Sequence, residues 1–383
     1  QAEDGIRDSV ASRGLGDVYK RQVVLQYLEN ESFKAKLPTM LQSNDRPDIF
    51  YSWGGGVMYD QARAGFLRDV SSVVPDSYLD TVSAAAADAF TFEGQRVGLP
   101  LQVSQVAWWY NKDLMSQAGV DVSQIKMWDD LLGAVKQIKA AGITPICMGG
   151  KDKWPVHFVW THLHIRNGGK GLFLESLNNG GWDRPEYIRS GEQMLELVEL
   201  EPFQKGWLAA TWPDQAGFFG DGKCAMAFMG NWMYGAQASN SASGEGLADA
   251  NMGMFNMPMT SGGMGDSGDT LGGINGWLFS STASDAAVEL MMHYVSLDIQ
   301  KEDASNGAYI PIVKGADGSL TNPFLQQVAK NISNSEYHQI FYDQFLGADI
   351  GRVVNDVSTD LAAGIISAEE ATQAVQEAWE FNQ

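Results

Sequence analysis

The feature that most constrains this chain is the way short apolar runs alternate with segments of helical period in its first hundred residues. Val23-Val24-Leu25-Gln26-Tyr27-Leu28 reads as a strand and Ser32 to about Ser43 as a short helix. Arg46 to Trp53 is a second strand, ending in Gly54-Gly55-Gly56, with a helix over roughly 57–66 behind it. Strand, helix, strand, helix is the alternation of an α/β fold, a parallel sheet covered by helices. At roughly 150 residues per domain, 383 residues suggest two or three such bodies. No apolar run reaches the 18 or more residues of a membrane-spanning helix.

The pattern continues. Gly94 to Pro100 has the look of a hairpin edge, and Val106 to Tyr110 of an apolar strand. Asp129 to Ala141 places Leu131, Leu132, Val135 and Ile138 on one helical face, and Gly142 ends it. Ile143 to Met148 and Lys223 to Met229 read as strands, Trp154 to Ile165, Tyr187 to Leu200 and Asp285 to Leu297 as helices. Gly217 to Gly222 reads as a turn, and 239–251 and 260–273 as Ser/Gly-rich loops. Asn322-Pro323 is a helix start, and Ser367-Ala368-Glu369-Glu370 is a capping box.

Residues 1–22 stand apart. The stretch Gly5 to Gln22 resembles a translated sequencing adapter; it has no regular period, and the four basic and four acidic side chains of 1–22 cancel. On that expectation the natural start, with any export signal, is missing, and the acidity belongs to the rest of the chain.

The net charge of −21 argues against nucleic acid and anionic membrane surfaces. Catalytic vocabulary is sparse. There is no phosphate-binding G-x-x-x-x-G-K-[S/T] loop, and Gly265-Asp266-Ser267-Gly268 runs into Asp269 where a nucleophile elbow needs Gly. His157, His162 and His164 do not share a helical face and read as helix-surface or interface residues. The pairs Asp129-Asp130 and Glu369-Glu370 lie in first turns, where negative charge suits the helix dipole. No catalytic residue, cofactor or metal ligand is assigned. Cys147 and Cys224 read as two buried thiols, a bond requiring Cα atoms within about 7 Å.

What remains is aromatic and glycine-rich, with 12 Trp and 42 Gly. Val97-Gly98-Leu99-Pro100, then Trp109-Tyr110-Asn111-Lys112, Ala118-Gly119 and Trp128-Asp129-Asp130-Leu131, resemble in order the motifs of an ABC-importer sugar-binding protein. Phe219-Gly220-Asp221-Gly222-Lys223-Cys224-Ala225-Met226 with Gly230-Asn231-Trp232, and Gly272 to Trp277 before Asp285-Ala286-Ala287, extend the likeness. The family is that of maltose-binding-protein-like extracellular solute-binding proteins. Two departures are Met127, where the family often has a capping Thr, and Cys224, where it has a small residue.

The resemblance implies a two-lobe periplasmic-binding-protein fold. Lobe one is expected over 23–111 plus 260–311, lacking its first strand, and lobe two over 112–259 plus 312–383. It implies a monomeric receptor outside the cytoplasm, lipid-anchored or free, that closes on a mono- or oligosaccharide and hands it to ABC permease transmembrane subunits. Alternatives are a same-fold receptor for an osmolyte, phosphorylated polyol or peptide, and a glycoside-active enzyme. A phosphate would call for Arg96, Arg166 or Lys151. A sugar offers an apolar C–H face and a hydroxyl rim, so stacking Trp and polar neighbours are sought. The candidates are Trp232, Trp53, Trp277, Asn275, Trp154, Gly54, Gln102, Ser104, Asp152 and Tyr309. Trp108 and Trp109 point to opposite faces of one strand, so at most one reaches a ligand, and Tyr342 is a further rim candidate.

Overall fold

A computed structural model describes residues 22–383, so the adapter-like segment lies outside the described residues except for Gln22. Among the described residues, 22–45 and Arg46–Gln383 form separate compact units. In the first, helix α1 (Asn30–Gln42) starts on the carboxylate of Glu29. Val23 to Leu28 is not a strand: it forms no ladder, and Val24 and Tyr27 are 84% and 87% exposed. An apolar run becomes a strand only where a partner takes up its backbone groups.

The second unit is built on a seven-stranded sheet with a separate hairpin. Its strands are β1 (Ile49–Trp53), the hairpin β2 (Thr91–Phe92) and β3 (Gln95–Arg96), β4 (Gly98–Asn111), β5 (Met226–Gly230), β6 (Met252–Phe255), β7 (Thr270–Phe279), β8 (Ile310–Pro311) and β9 (His338–Ile340). The longer helices are α2 (Gly56–Arg63), α3 (Trp128–Ala140), α4 (Trp154–Asn179), α5 (Pro185–Val198), α6 (Trp212–Gly220), α7 (Asp285–Tyr294), α8 (Leu297–Ser305), α9 (Pro323–Asn334), α10 (Ala348–Ala362) and α11 (Ala368–Phe381).

The ladders differ from the parallel sheet the alternation suggests. Among the described strands, β7–β9 pairs parallel; β1–β7 and β7–β4, and β4 with β5, β6 and β8, are antiparallel. The cause is β4. Its first half, Gly98 to Gln105, lies along β7, and its second half, Val106 to Asn111, lies along β5 and β6. One 14-residue strand thereby serves two groups of neighbours. A core cluster including Leu99, Leu101, Phe279, Val288 and Met291 packs on the first side. A larger one including Trp108, Trp109, Leu131, Trp160 and Phe228 packs on the second.

Three local expectations are corrected. Ile143 to Met148 makes only isolated parallel bridges, Ile146 to Phe203 and Met226, because Pro145 has no N–H to give a ladder. Gly217 to Gly222 is not a free turn but the end of α6, started by Thr211, whose hydroxyl accepts from Asp214 N–H. The three α4 histidines are interior, at 0%, 1% and 3% exposure, because α4 is buried on every side from Trp154 to Gly169. The starts at Asn322 and Ser367 form as expected. Met127 makes no side-chain cap; Asp130 instead accepts from the N–H groups of Lys126 and Met127.

Cys147 and Cys224 are joined as a disulfide, not two thiols, with Cα atoms 5.6 Å apart. Cys147 N–H donates to Met226 O at 2.9 Å and Ala225 N–H to Thr144 O at 2.9 Å, so backbone pairing has already set the two residues side by side.

Candidate ligand-binding site

One end of the sheet presents a polar and aromatic face. β1 alternates, burying Phe50 and Ser52 and leaving Tyr51 and Trp53 half-buried. The register sets Tyr51 opposite Trp277, and Trp53 opposite Asn275. On the other side of β7, Asn275 faces Gln102 and Gly273 faces Ser104. A register shift between Pro100 and Gln102 bulges Leu101 out, which keeps Gln102 on the face of Asn275. The same face is closed core at its other end, where Leu99 and Phe279 are fully buried under α7.

Within this face, Gln102 donates to the Tyr51 hydroxyl, and burial pushes that phenol up to about 12. The Tyr51 ring meets Trp277 edge-on at 5.3 Å, and Trp277 meets Tyr294 at 5.8 Å. The Trp277 indole N–H has no acceptor among the described residues. Ser104 is turned inward: its hydroxyl accepts from Gly273 N–H at 3.0 Å and lies 3.3 Å from Gly273 O. Gly54 is needed by the fold itself, since a Cβ there would lie 2.6 Å from Ala89 O. Tyr309 sits in the smaller core, its hydroxyl donating to Asp303 at 2.7 Å.

Beyond β5 the chain passes Gly230-Asn231 into Trp232, whose ring folds back over Gly230, where any side chain would collide with it. Trp232 is half-buried in an aromatic knot. Its ring centroid lies 6.3 Å from Trp154, 6.5 Å from Trp212, 6.3 Å from Phe158 and 6.1 Å from Phe341. Trp154 and Trp212 are 5.7 Å apart, and Phe341 stacks on Phe158 at 4.7 Å. Phe341 reaches back to the sheet end: a Cβ on Gly273 would touch both its ring, at 2.9 Å, and Asn275 Oδ1, at 3.1 Å. Trp232 and Trp154 thus meet, the register places Trp53, Trp277, Asn275 and Gln102 on one face of the sheet end, and Gly273 adjoins both Phe341 and Asn275.

Trp108 and Trp109 are both fully buried, their indole N–H groups given to Met257 Sδ at 3.3 Å and Met229 O at 3.1 Å, so neither offers a ligand surface. Tyr342 is core as well, 1% exposed beside Phe173 and Trp182. Trp212 and Phe341 were not singled out from sequence. The capping pattern Thr211-Trp212-Pro213-Asp214 marks the first as a helix start, while nothing local marks the second.

The charged groups near this region serve the fold. Arg166 is fully buried, and its guanidinium donates to the carbonyls of Met257, Asp266, Ser267 and Asp269. Burial lowers its pKa to about 10. Arg96 is held by Val74 O and Asp76. Among the described residues no three His, Cys, Asp or Glu side chains gather to hold a metal ion. Concavities of about 420 and 400 Å3 open at Tyr27–Met40 and at Trp128–Glu192, and share no residue with the site.

The sequence profile of the bacterial extracellular solute-binding proteins matches residues 19–302. An uncharacterized ABC transporter extracellular-binding protein of Pyrococcus horikoshii is 24% identical over 206 residues, 53% of this chain and 46% of that protein. A multiple sugar-binding protein of Streptococcus mutans is 22% identical over 213 residues, 51% of this chain and 47% of its own length. The chain spans about half the length or less of the first curated relatives it matches. Among solved structures, one from work on xylan utilization by Caldanaerobius polysaccharolyticus superposes with a TM-score of 0.85 at 25% identity, over 93% of this chain and 91% of that one. A chitin oligosaccharide binding protein superposes at 0.82 with 23% identity, over 93% and 89%. The two-lobe fold is therefore established, and the chain belongs to the bacterial extracellular solute-binding protein family.

Proposed function

We propose that this chain is the extracytoplasmic receptor of an ABC importer and binds a mono- or oligosaccharide between its lobes, in the division expected from sequence. The observation that carries the reading is the meeting of Trp154, Trp212 and the half-buried Trp232, close to the Asn275 and Gln102 amides at the sheet end. Flat rings take the C–H face of a pyranose, and amides take its hydroxyls. Proteins named for sugars recur among the relatives, including arabinooligosaccharide-binding and multiple sugar-binding proteins and a receptor bound to tagatose. Hinge motion about β4, where its pairing changes between Gln105 and Val106, would let the receptor close.

A phosphorylated ligand is less well served. A sn-glycerol-3-phosphate-binding relative is 32% identical over 145 residues, but here Arg96 and Arg166 are occupied by the protein's own oxygens. A glycosidase fits poorly too, because Asp130 and Glu370 are spent on helix starts. The buried disulfide suits an oxidising compartment outside the cytoplasm. No helix among the described residues is long and apolar enough to cross a membrane. The expected partners are a carbohydrate and the permease subunits, with no nucleic acid, and the receptor works as a monomer.

The test is a tryptophan-fluorescence titration with xylo-oligosaccharides, chitin oligosaccharides, raffinose, galactose, tagatose and acarbose. A saturable change with at least one sugar is expected. Silence toward all of them, with a response to an osmolyte, glycerol 3-phosphate or a peptide, would replace the sugar reading.

A further inference from the structure

We infer that Asp152 is a positioning residue that fixes Trp212 against Trp154, an inference that rests on the aromatic knot being the ligand surface proposed above. The local geometry dictates this role. The segment after Cys147 is laid against the residues that precede α6. Gly150 N–H donates to Trp207 O at 2.8 Å and Lys151 N–H to Ala210 O at 3.0 Å. Two glycines allow the approach, because a Cβ on Gly149 would lie 2.7 Å from Thr211 O and one on Gly150 2.5 Å from the Trp207 ring.

The run of contacts ends at Asp152. Its Oδ2 accepts the backbone N–H of Trp212 at 2.6 Å, and its own carbonyl accepts the N–H of Trp154 at 2.7 Å. Trp212 is the first residue of α6, so its N–H is one of the donors a helix leaves unsatisfied. A carboxylate there is also favoured by the helix dipole. One residue therefore holds the two helix starts that carry two of the three tryptophans.

The chain reaches this geometry through a backbone conformation that side chains rarely adopt. Lys153, between Asp152 and Trp154, has φ of +63°. It is anchored from the other side by an ion pair with Asp356 on α10 at 2.6 Å. The positive φ of Lys153 turns the chain sharply between Asp152 and Trp154, so that one short loop meets both helix starts. Asp152 is accordingly a residue that acts through the two rings, and its carboxylate oxygen is already engaged before any ligand arrives.

The test needs no ligand, so its result is independent of whether a sugar is bound. Near-ultraviolet circular dichroism reports tryptophans held rigidly in asymmetric surroundings. Trp212→Phe defines how much of the signal depends on that ring. Asp152→Ala, with an unchanged far-ultraviolet spectrum, is expected to lose roughly half or more of that share, since one charge-assisted anchor is gone. Asp152→Asn keeps an oxygen that accepts the Trp212 N–H and is expected to retain most of it. Should the alanine variant not fold, Asp152→Glu moves the acceptor by one methylene and is expected to lose signal likewise. A wild-type spectrum in the alanine or glutamate variant, or an equal loss in the asparagine variant, overturns the assignment. If the spectra behave as expected and no sugar binds, the sugar reading alone falls.

Discussion

Trp232 and Trp277 are both half-buried aromatics beside a strand, yet they are held by different means. Trp277 is fixed by the ladder: its backbone pairs with Tyr51 and Leu99, and its ring is wedged edge-on between Tyr51 and Tyr294. Trp232 lies past the end of β5 and is held by neighbouring rings and by the room that Gly230 leaves. The sheet end is therefore rigid by hydrogen bonding, while the knot depends on the arms that deliver its rings. Those arms are joined at Cys147 and Cys224, seven residues before Trp154 and eight before Trp232.

Breaking that joint is the harshest way to separate the two regions. Replacing both cysteines with serine is expected to lower stability by about 4 kcal/mol, the loop-closure contribution of a bond linking residues 77 apart. Urea unfolding of the oxidised, reduced and substituted proteins measures it. Equal midpoints would show that backbone pairing alone holds the arms together.

Acid probes the same contrast more gently. Burial pushes His164, on the helix that carries Trp154, down to about 3, and His338, on the strand beside β7, down to about 4. Both are neutral in the folded protein, whereas the unfolded chain takes up protons below about pH 6.5. Their contribution to stability is thus complete above about pH 6.5 and is lost as the pH falls toward 4. At pH 5 each costs about 2 kcal/mol relative to neutral pH. The gap between unfolding midpoints at pH 7.5 and 5 should narrow in His164→Phe by that residue's share, leaving the part due to His338 and to His162, which burial also lowers; a pH dependence as steep as the wild type's would contradict the assignment.

Side chains at the site should separate affinity from stability. Trp232→Ala removes a stacking face and is expected to weaken sugar binding by about 30-fold, or about 2 kcal/mol. Gln102→Ala removes one amide and is expected to cost about 5-fold, near 1 kcal/mol. Calorimetry on both variants, beside thermal melts, checks the order. A larger loss from Gln102 would make the sheet end, not the knot, the dominant surface.

Much of this was legible in the chain before its structure. Helix starts at Asn322 and Ser367 declare themselves through side chains that can reach only their own first turn. Ordered motifs mark Trp154 and Trp232 only as separate candidates; that their rings meet is visible in the structure alone, because 77 residues lie between them and no periodicity spans that distance. The disulfide was hidden for the same reason: two cysteines show their identity but not their separation in space. Val23 to Leu28 misled because apolar character marks a strand only if a partner is present. The α4 histidines misled because a helix buried on all faces has no surface for polar residues to mark. Trp212 could have been found from its capping box, whereas Phe341 is placed by β9, a three-residue strand with no sequence signature.

The most direct test of the sugar receptor is isothermal calorimetry of the wild type and Trp232→Ala with whichever panel sugar changes the fluorescence. The expected result is one-to-one binding in the wild type and a loss of about 30-fold in the variant, with the thermal midpoint nearly kept. Sugar binding that survives Trp232→Ala at full strength would contradict the account.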